Sequence, residues 1–158
     1  MERDEVSTFL GGVLRAKFAY FRCLRQSEEL EEKCTALSSS LSSTEGHGTA
    51  DVHRDNMLIA LADKKAMLPY LYAKWIAVMQ EVDRFLDEIE DDRHRAILKL
   101  RYVDLLRWPN VVEELKKVGI WYEERQVHNL HGDALKVARA LWAEKKESES
   151  HELHCNQP

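Results

Sequence analysis

The chain has few of the residues that break helices and none of the long apolar runs that cross membranes. Its 158 residues include six glycines and three prolines, too few for the many tight turns of an all-β fold, so the expected class is all-α. No apolar stretch approaches the roughly 18 residues of a transmembrane helix, so no membrane segment is expected. The first residues, MERDEVSTFLGGVL, are acidic where a secretory signal is basic. The three cysteines, Cys23, Cys34 and Cys155, are odd in number and include no C-x-x-C pair, which points to a reduced, cytoplasmic setting.

Catalytic signatures are missing as well. There is no Walker loop, no G-x-S-x-G elbow and no dinucleotide fingerprint. His151, His154 and Cys155 lack a second half-site with ligand spacing, and HELHC is not the H-E-x-x-H of zinc hydrolases. Asp87, Glu88, Glu90, Asp91 and Asp92 have no apolar pocket beside them that would make one an acid and another a base; they read as a solvated helix end. The expectation is a protein that is not an enzyme, with no metal and no cofactor.

What is present is helix-forming and charged: 44% of the residues are hydrophobic, 32% are charged, and the net charge is -5. That charge is unevenly spread. Residues 1–92 carry 11 Lys/Arg against 18 Asp/Glu, residues 93–146 carry 12 against 7, and residues 147–158 carry three Glu with no Lys or Arg. A basic segment in an acidic chain is a candidate anion-binding surface, because phosphate responds to local potential. The expected organisation is a helical hairpin or coiled coil over 1–92, a small basic module over 93–146 and a flexible acidic tail over 147–158.

Periodicity supports the helical region. From Val13 to Leu37 a heptad template aligns Val13, Tyr20, Ser27 and Cys34 on one row and Ala16, Cys23, Leu30 and Leu37 on the other, leaving Glu28, Glu29, Glu31 and Glu32 to solvent. A Ser-rich linker is expected over 38–50, because Ser side chains compete for backbone bonds and Gly46 and Gly48 lower helix propensity. The second helix is expected from about Val52 to Glu90. Leu61, Leu68, Trp75, Val82 and Ile89 recur every seven residues, interleaved with Met57, Lys64, Leu71, Val78 and Phe85. Pro69 interrupts this helix, so a kink near residues 65–69 or a division into two helices is expected, the kink favoured because Pro69 lies beside the seam. A stripe of this length must be covered by the first helix folding back or by another subunit, so homo-oligomerisation through residues 52–90 is expected.

The stretch from Arg93 to Trp142 reads as three helices ending in a helix-turn-helix. The first runs from Arg93 to Leu106 and stops at Trp108-Pro109, because a residue before proline is pushed out of the α region. The second, Pro109 to Lys117, turns Val112 and Leu115 inward with Val111 beside them. Val118 to Tyr122, with Gly119, forms the turn. The third runs from Glu123 to about Lys146 with Val127, Leu130, Ala134, Leu135, Ala138 and Leu141 on one face.

Arg93, Leu98, Leu100, Arg101, Tyr102, Trp108, Arg125, Val127, Leu130, His131, Gly132, Ala134 and Leu135 carry a pattern, R-x-x-x-x-L-x-L-R-Y, then W, then R-x-V-x-x-L-H-G-x-A-L. The segment resembles the C-terminal module of a phage-encoded family. It is similar to the fourth region of bacterial sigma factors and to ArpU/RinA-type phage late-gene regulators. The upstream order of helix, Ser-rich loop and long helix resembles that family too. The resemblance implies binding to double-stranded DNA in transcriptional regulation, with RNA polymerase as a candidate partner.

In a helix-turn-helix the N-terminal residues of the last helix reach base edges. Arg125, Gln126, His128 and Asn129 stand opposite Val127 and Leu130 and are the base-facing candidates, since Gln and Asn can read adenine and Arg guanine. Arg107, Lys116, Lys117, Lys136 and Arg139 are the phosphate candidates. Three features depart from the family pattern: a turn lengthened by Gly119 to Tyr122, the acidic pair Glu123 and Glu124, and Asp133 where Arg is expected. Two further readings compete with DNA binding. One is a protein-interaction module that binds RNA polymerase, a phage partner or itself; the other is a small DNA-packaging subunit.

Overall fold

The computed structural model describes residues 4–41 and 48–155, and all regular structure among them is helical, as the scarcity of turn formers predicts. The elements are α1 (Glu5–Leu10), α2 (Gly12–Leu41), α3 (Thr49–Asp87), α4 (Asp92–Leu98), which continues as a π-helical turn (Lys99–Val103), α5 (Trp108–Lys117) and α6 (Glu124–Cys155). They form two compact units. One comprises the described residues of 15–77, the other those of 1–14 and 78–158. The boundary expected at residue 92 therefore falls elsewhere, because the first helix and the end of α3 supply core to the C-terminal module.

In the 15–77 unit, α2 and α3 pair in opposite directions. Tyr20 meets Tyr72 and Trp75 at ring-centroid distances of 5.6 and 6.0 Å, while Glu31 further along α2 bonds Lys65 further back on α3. The seam residues of this unit are half-buried or buried. Its polar members are satisfied: Ser27 Oγ donates to the Leu24 carbonyl at 2.7 Å, and Lys64 Nζ donates to Gln26 Oε1 at 2.9 Å. Pro69 stays exposed beside the seam, and α3 continues through it as one helix.

The Ser-rich segment starts later than expected. Ser38 and Ser39 belong to α2, their hydroxyls donating to the carbonyls of Cys34 (2.9 Å) and Thr35 (3.1 Å) one turn back, while residues 42–47 of the expected linker lie outside the described residues. Back-bonding satisfies the hydroxyl inside the helix, so Ser need not end it. The same bonds recur at Ser148 and Ser150, which donate to Glu144 and Lys146. Accordingly, residues 147–155, expected as a flexible tail, continue α6.

The other unit is built around α6, against which α4 chiefly packs. Its core holds Val6, Leu10, Val13, Val82, Phe85, Leu86, Ile89, Ile97, Leu98, Val111, Leu115, Val127, Ala134 and Ala138. Asp4 caps α1 by accepting from the Val6 amide and the Ser7 hydroxyl. The helix then lies along one face of α6: Arg139 bonds Asp4 at 2.6 Å, the Trp142 indole donates to Glu5 at 3.3 Å, and Lys146 also pairs with Glu5. Phe9 packs on Trp142 at 4.7 Å and on Phe85 at 5.4 Å. Asp91 opens α4 by accepting from the amides of Arg93 (2.8 Å) and His94 (3.1 Å), which hold its carboxyl below the ordinary range.

Between α4 and α5 the helix boundaries also differ from expectation. The helix expected to end at Leu106 ends at Val103, because its last turn widens: the Asp104 amide donates to the Lys99 carbonyl and the Leu106 amide to the Leu100 carbonyl, both at 3.0 Å. Leu105 then reverses the chain with φ 57°. The next helix begins at Trp108, with Pro109 inside its first turn, where a missing amide costs no bond. It buries Val111 with Leu115, four residues apart, and leaves Val112 half-buried.

Candidate nucleic-acid interface

The helix-turn-helix is α5, residues 118–123 and α6. Its turn begins with a Schellman closure: the Ile120 amide donates to the Leu115 carbonyl at 2.9 Å and the Gly119 amide to Lys116 at 3.0 Å, with Gly119 at φ 87°. Only glycine takes that backbone angle without strain. The Glu123 carbonyl accepts the first bond of α6, from Val127, and Gln126 Oε1 accepts from the Glu123 amide at 2.9 Å. That is half of a capping box, with Glu123 where Ser or Thr is usual.

A cluster behind the turn fixes α6 to what precedes it. The Tyr102 hydroxyl and His131 Nε2 share a hydrogen bond of 3.1 Å, and the two rings stack at 5.7 Å. Trp108 meets His131 edge-on at 5.0 Å and His128 at 4.2 Å. Arg101 places its guanidinium 4.9 Å from the Trp108 ring while donating to the Leu106 carbonyl at 2.8 Å. Burial, and after it repulsion from the like charge of Arg101, pushes His131 down to about 4, so it is neutral at pH 7; burial pushes the Tyr102 phenol up. The sequence singled out Arg101, Tyr102, Trp108 and His131 as pattern residues without showing that they touch.

All four base-facing candidates are exposed on the first turns of α6, but they are not equally available. Arg125 and Asn129 have no side-chain partner among the described residues. Gln126 is spent on the cap, and His128 lies against Trp108, with Nε2 3.6 Å from Glu124. The phosphate candidates divide in the same way. Arg107, just before α5, and Lys116, near its end, are exposed without an acidic partner among the described residues. Lys117 is paired with Glu114 at 2.5 Å, Lys136 with Asp133 at 2.9 Å, and Arg139 with Asp4. Those pairs hold Asp133 and Asp4 below the ordinary carboxyl range, Asp4 chiefly through Ser7.

Two features were missed by sequence reasoning. One is α1, whose signal was Asp4 three residues before Ser7 together with Val6, Leu10 and Val13 at helical spacing. The other is Trp121, 75% exposed in the turn, beside Val118 at 69%. Of residues 52–90, expected to self-associate, Val52, Leu58, Ile59, Met67 and Tyr70 are exposed. No group of His, Cys, Asp and Glu among the described residues could hold a metal ion, and no described helix is long and apolar enough to cross a membrane. Comparison with protein-family models, with curated proteins and with solved structures gives no match.

Proposed function

We propose that this chain is a sequence-specific double-stranded-DNA-binding regulator of transcription, of the phage or prophage kind its C-terminal pattern resembles, and that α6 is its reading helix. The observation that carries the reading is the pair Arg125 and Asn129, exposed and unpartnered on the first turns of α6, where a helix-turn-helix meets base edges. Arg107 and Lys116 supply positive charge from α5. Glu123 and Glu124 favour the helix dipole yet repel phosphate, so the interface depends on few cations.

That count sets the test. With Arg107 and Lys116 as the phosphate candidates left unpaired, the log–log dependence of affinity on salt has a slope of about -2, from about 0.9 per phosphate neutralised. The full chain is used to select duplexes from a random library, and the selected duplex is titrated by fluorescence anisotropy across salt. Arg125→Ala and Asn129→Ala should each cost about 1–3 kcal/mol and relax the sequence preference. If no duplex is enriched, or if both variants bind the enriched duplex as tightly as the parent, the reading is lost.

A second reading, contact with a protein such as RNA polymerase through the same module, is favoured by the exposed Val118 and Trp121 beside the reading helix. A polymerase pull-down that succeeds in the absence of DNA and fails with Trp121→Ser would support it.

A further inference from the structure

Two surfaces away from the base-facing first turns of α6 match each other in length and charge. The first is an outward stripe on α2. Phe18, 58% exposed, and Phe21, 46% exposed, share one helical face with Arg22 and Arg25. Arg25 has only an exposed contact with Glu29 at 3.6 Å, and Arg22 has no acidic partner among the described residues. Two exposed phenyl rings beside two guanidinium groups form an apolar patch, on which Phe21 also meets Tyr20 at 5.2 Å and Trp75 at 5.9 Å and which Glu28 borders at one end.

The second surface is an open groove of about 460 Å³ between residues 88–94 and α6. Ile89, Val137, Ala140 and Leu141 contribute its apolar lining, and Glu90 and Glu144 stand at the same groove with no cationic partner among the described residues. The remaining acids there are engaged, Glu88 with Lys145 and Asp91 with the start of α4. Two carboxylates without cationic partners therefore stand at the groove, as the unpaired Arg22 and the solvent-exposed Arg25, held only by its contact with Glu29, stand at the stripe.

The lengths agree too. Phe18 to Arg25 and Val137 to Glu144 are each eight residues of helix, about 10 Å from first to last.

We propose that the α2 stripe of one copy docks into this groove on a second copy, Phe18 and Phe21 entering the apolar lining while Arg22 and Arg25 meet Glu90 and Glu144. The occupant is a second copy because the complementary charges, the exposed apolar surface and the matching length are all carried by this chain. The pairing is independent of DNA binding. It also uses surfaces other than the α3 seam, whose residues in the 15–77 unit turn toward α2.

The test is the mass of the full chain by light scattering over a concentration series. The parent should rise to two chains or more, and added salt should weaken the rise. Arg22→Glu with Arg25→Glu, and separately Glu90→Lys with Glu144→Lys, should each remain at one chain with unchanged helical circular dichroism. Mixing these two reversed variants in equal amounts should restore association, since the acidic stripe of one now fits the basic groove of the other. Phe18→Asp and Val137→Asp give an independent check, each expected to abolish association without altering charge at the four paired positions. A parent that stays at one chain throughout, reversed variants that associate as the parent does, or a mixture that stays dissociated would overturn the proposal.

Discussion

His131 shows how one side chain couples the fold to pH. In the unfolded chain its imidazole titrates near the ordinary value of 6.5, whereas burial against Tyr102 and Trp108 brings it to about 4 in the folded chain. Between those values the unfolded state binds the extra proton, so stability rises with pH. The contribution is complete above pH 6.5 and declines as pH falls toward 4. The full shift would correspond to about 3 kcal/mol at 1.36 per unit; with the ring only half-buried, solvent screening reduces this to about 1–2. His131→Phe keeps an aromatic ring and removes the titration. Urea unfolding at pH 7 and pH 5 should show a smaller loss of stability in the variant than in the parent, and equal losses would show that His131 is not the group responsible. At this scale the sequence was half informative. It marked Arg101, Tyr102, Trp108 and His131 as pattern members, but periodicity reports which face a residue takes, not which distant residue it meets across a turn.

At the scale of elements, helix ends decided what could be anticipated. The apolar spacing of α2, α3 and α6 was legible because a buried stripe must recur at the helical period. The ends were less so, since they depend on bonds that spacing does not encode. Ser38, Ser39, Ser148 and Ser150 extend helices through back-bonded hydroxyls, and Leu105 ends one through a left-handed backbone. Gly119 was the legible end, and its angle of φ 87° makes a prediction. Open space surrounds the position where a Cβ would stand, so Gly119→Ala would meet no clash and would report backbone strain alone. A left-handed residue with a Cβ costs about 1–2 kcal/mol, and Asn tolerates that region better than Ala. Urea unfolding should order the stabilities as Gly, then Asn, then Ala. An Ala variant as stable as the parent would mean that this turn does not hold its Schellman form in solution.

At the scale of the whole molecule, the C-terminal module is completed by the chain's first helix. The basic charge of residues 93–146 marked that segment as self-contained, but charge describes a surface and says little about where a core is closed. Leu10 is fully buried and Val6 nearly so, in the same unit as Ile97, Leu98 and Leu115. A fragment of residues 90–146 would lack these side chains together with Val82, Phe85, Leu86 and Ile89, so a failure of that fragment to bind DNA would not count against the full chain. The dependence can be tested in the intact protein. Leu10→Ala leaves a cavity in a close-packed core and should cost about 2–5 kcal/mol. If α1 is part of the module's cooperative core, native-state hydrogen exchange will show protection falling together in α1, α4 and α6, far away in sequence, with a smaller change at residues 23–37 of α2. Loss confined to residues 5–10 would show instead that α1 is an independently fraying appendage. The exposed ion pairs Asp4–Arg139 and Glu5–Lys146 contribute little by themselves, so the buried side chains must carry the coupling, and Asp4→Asn should leave the protection of α4 nearly unchanged.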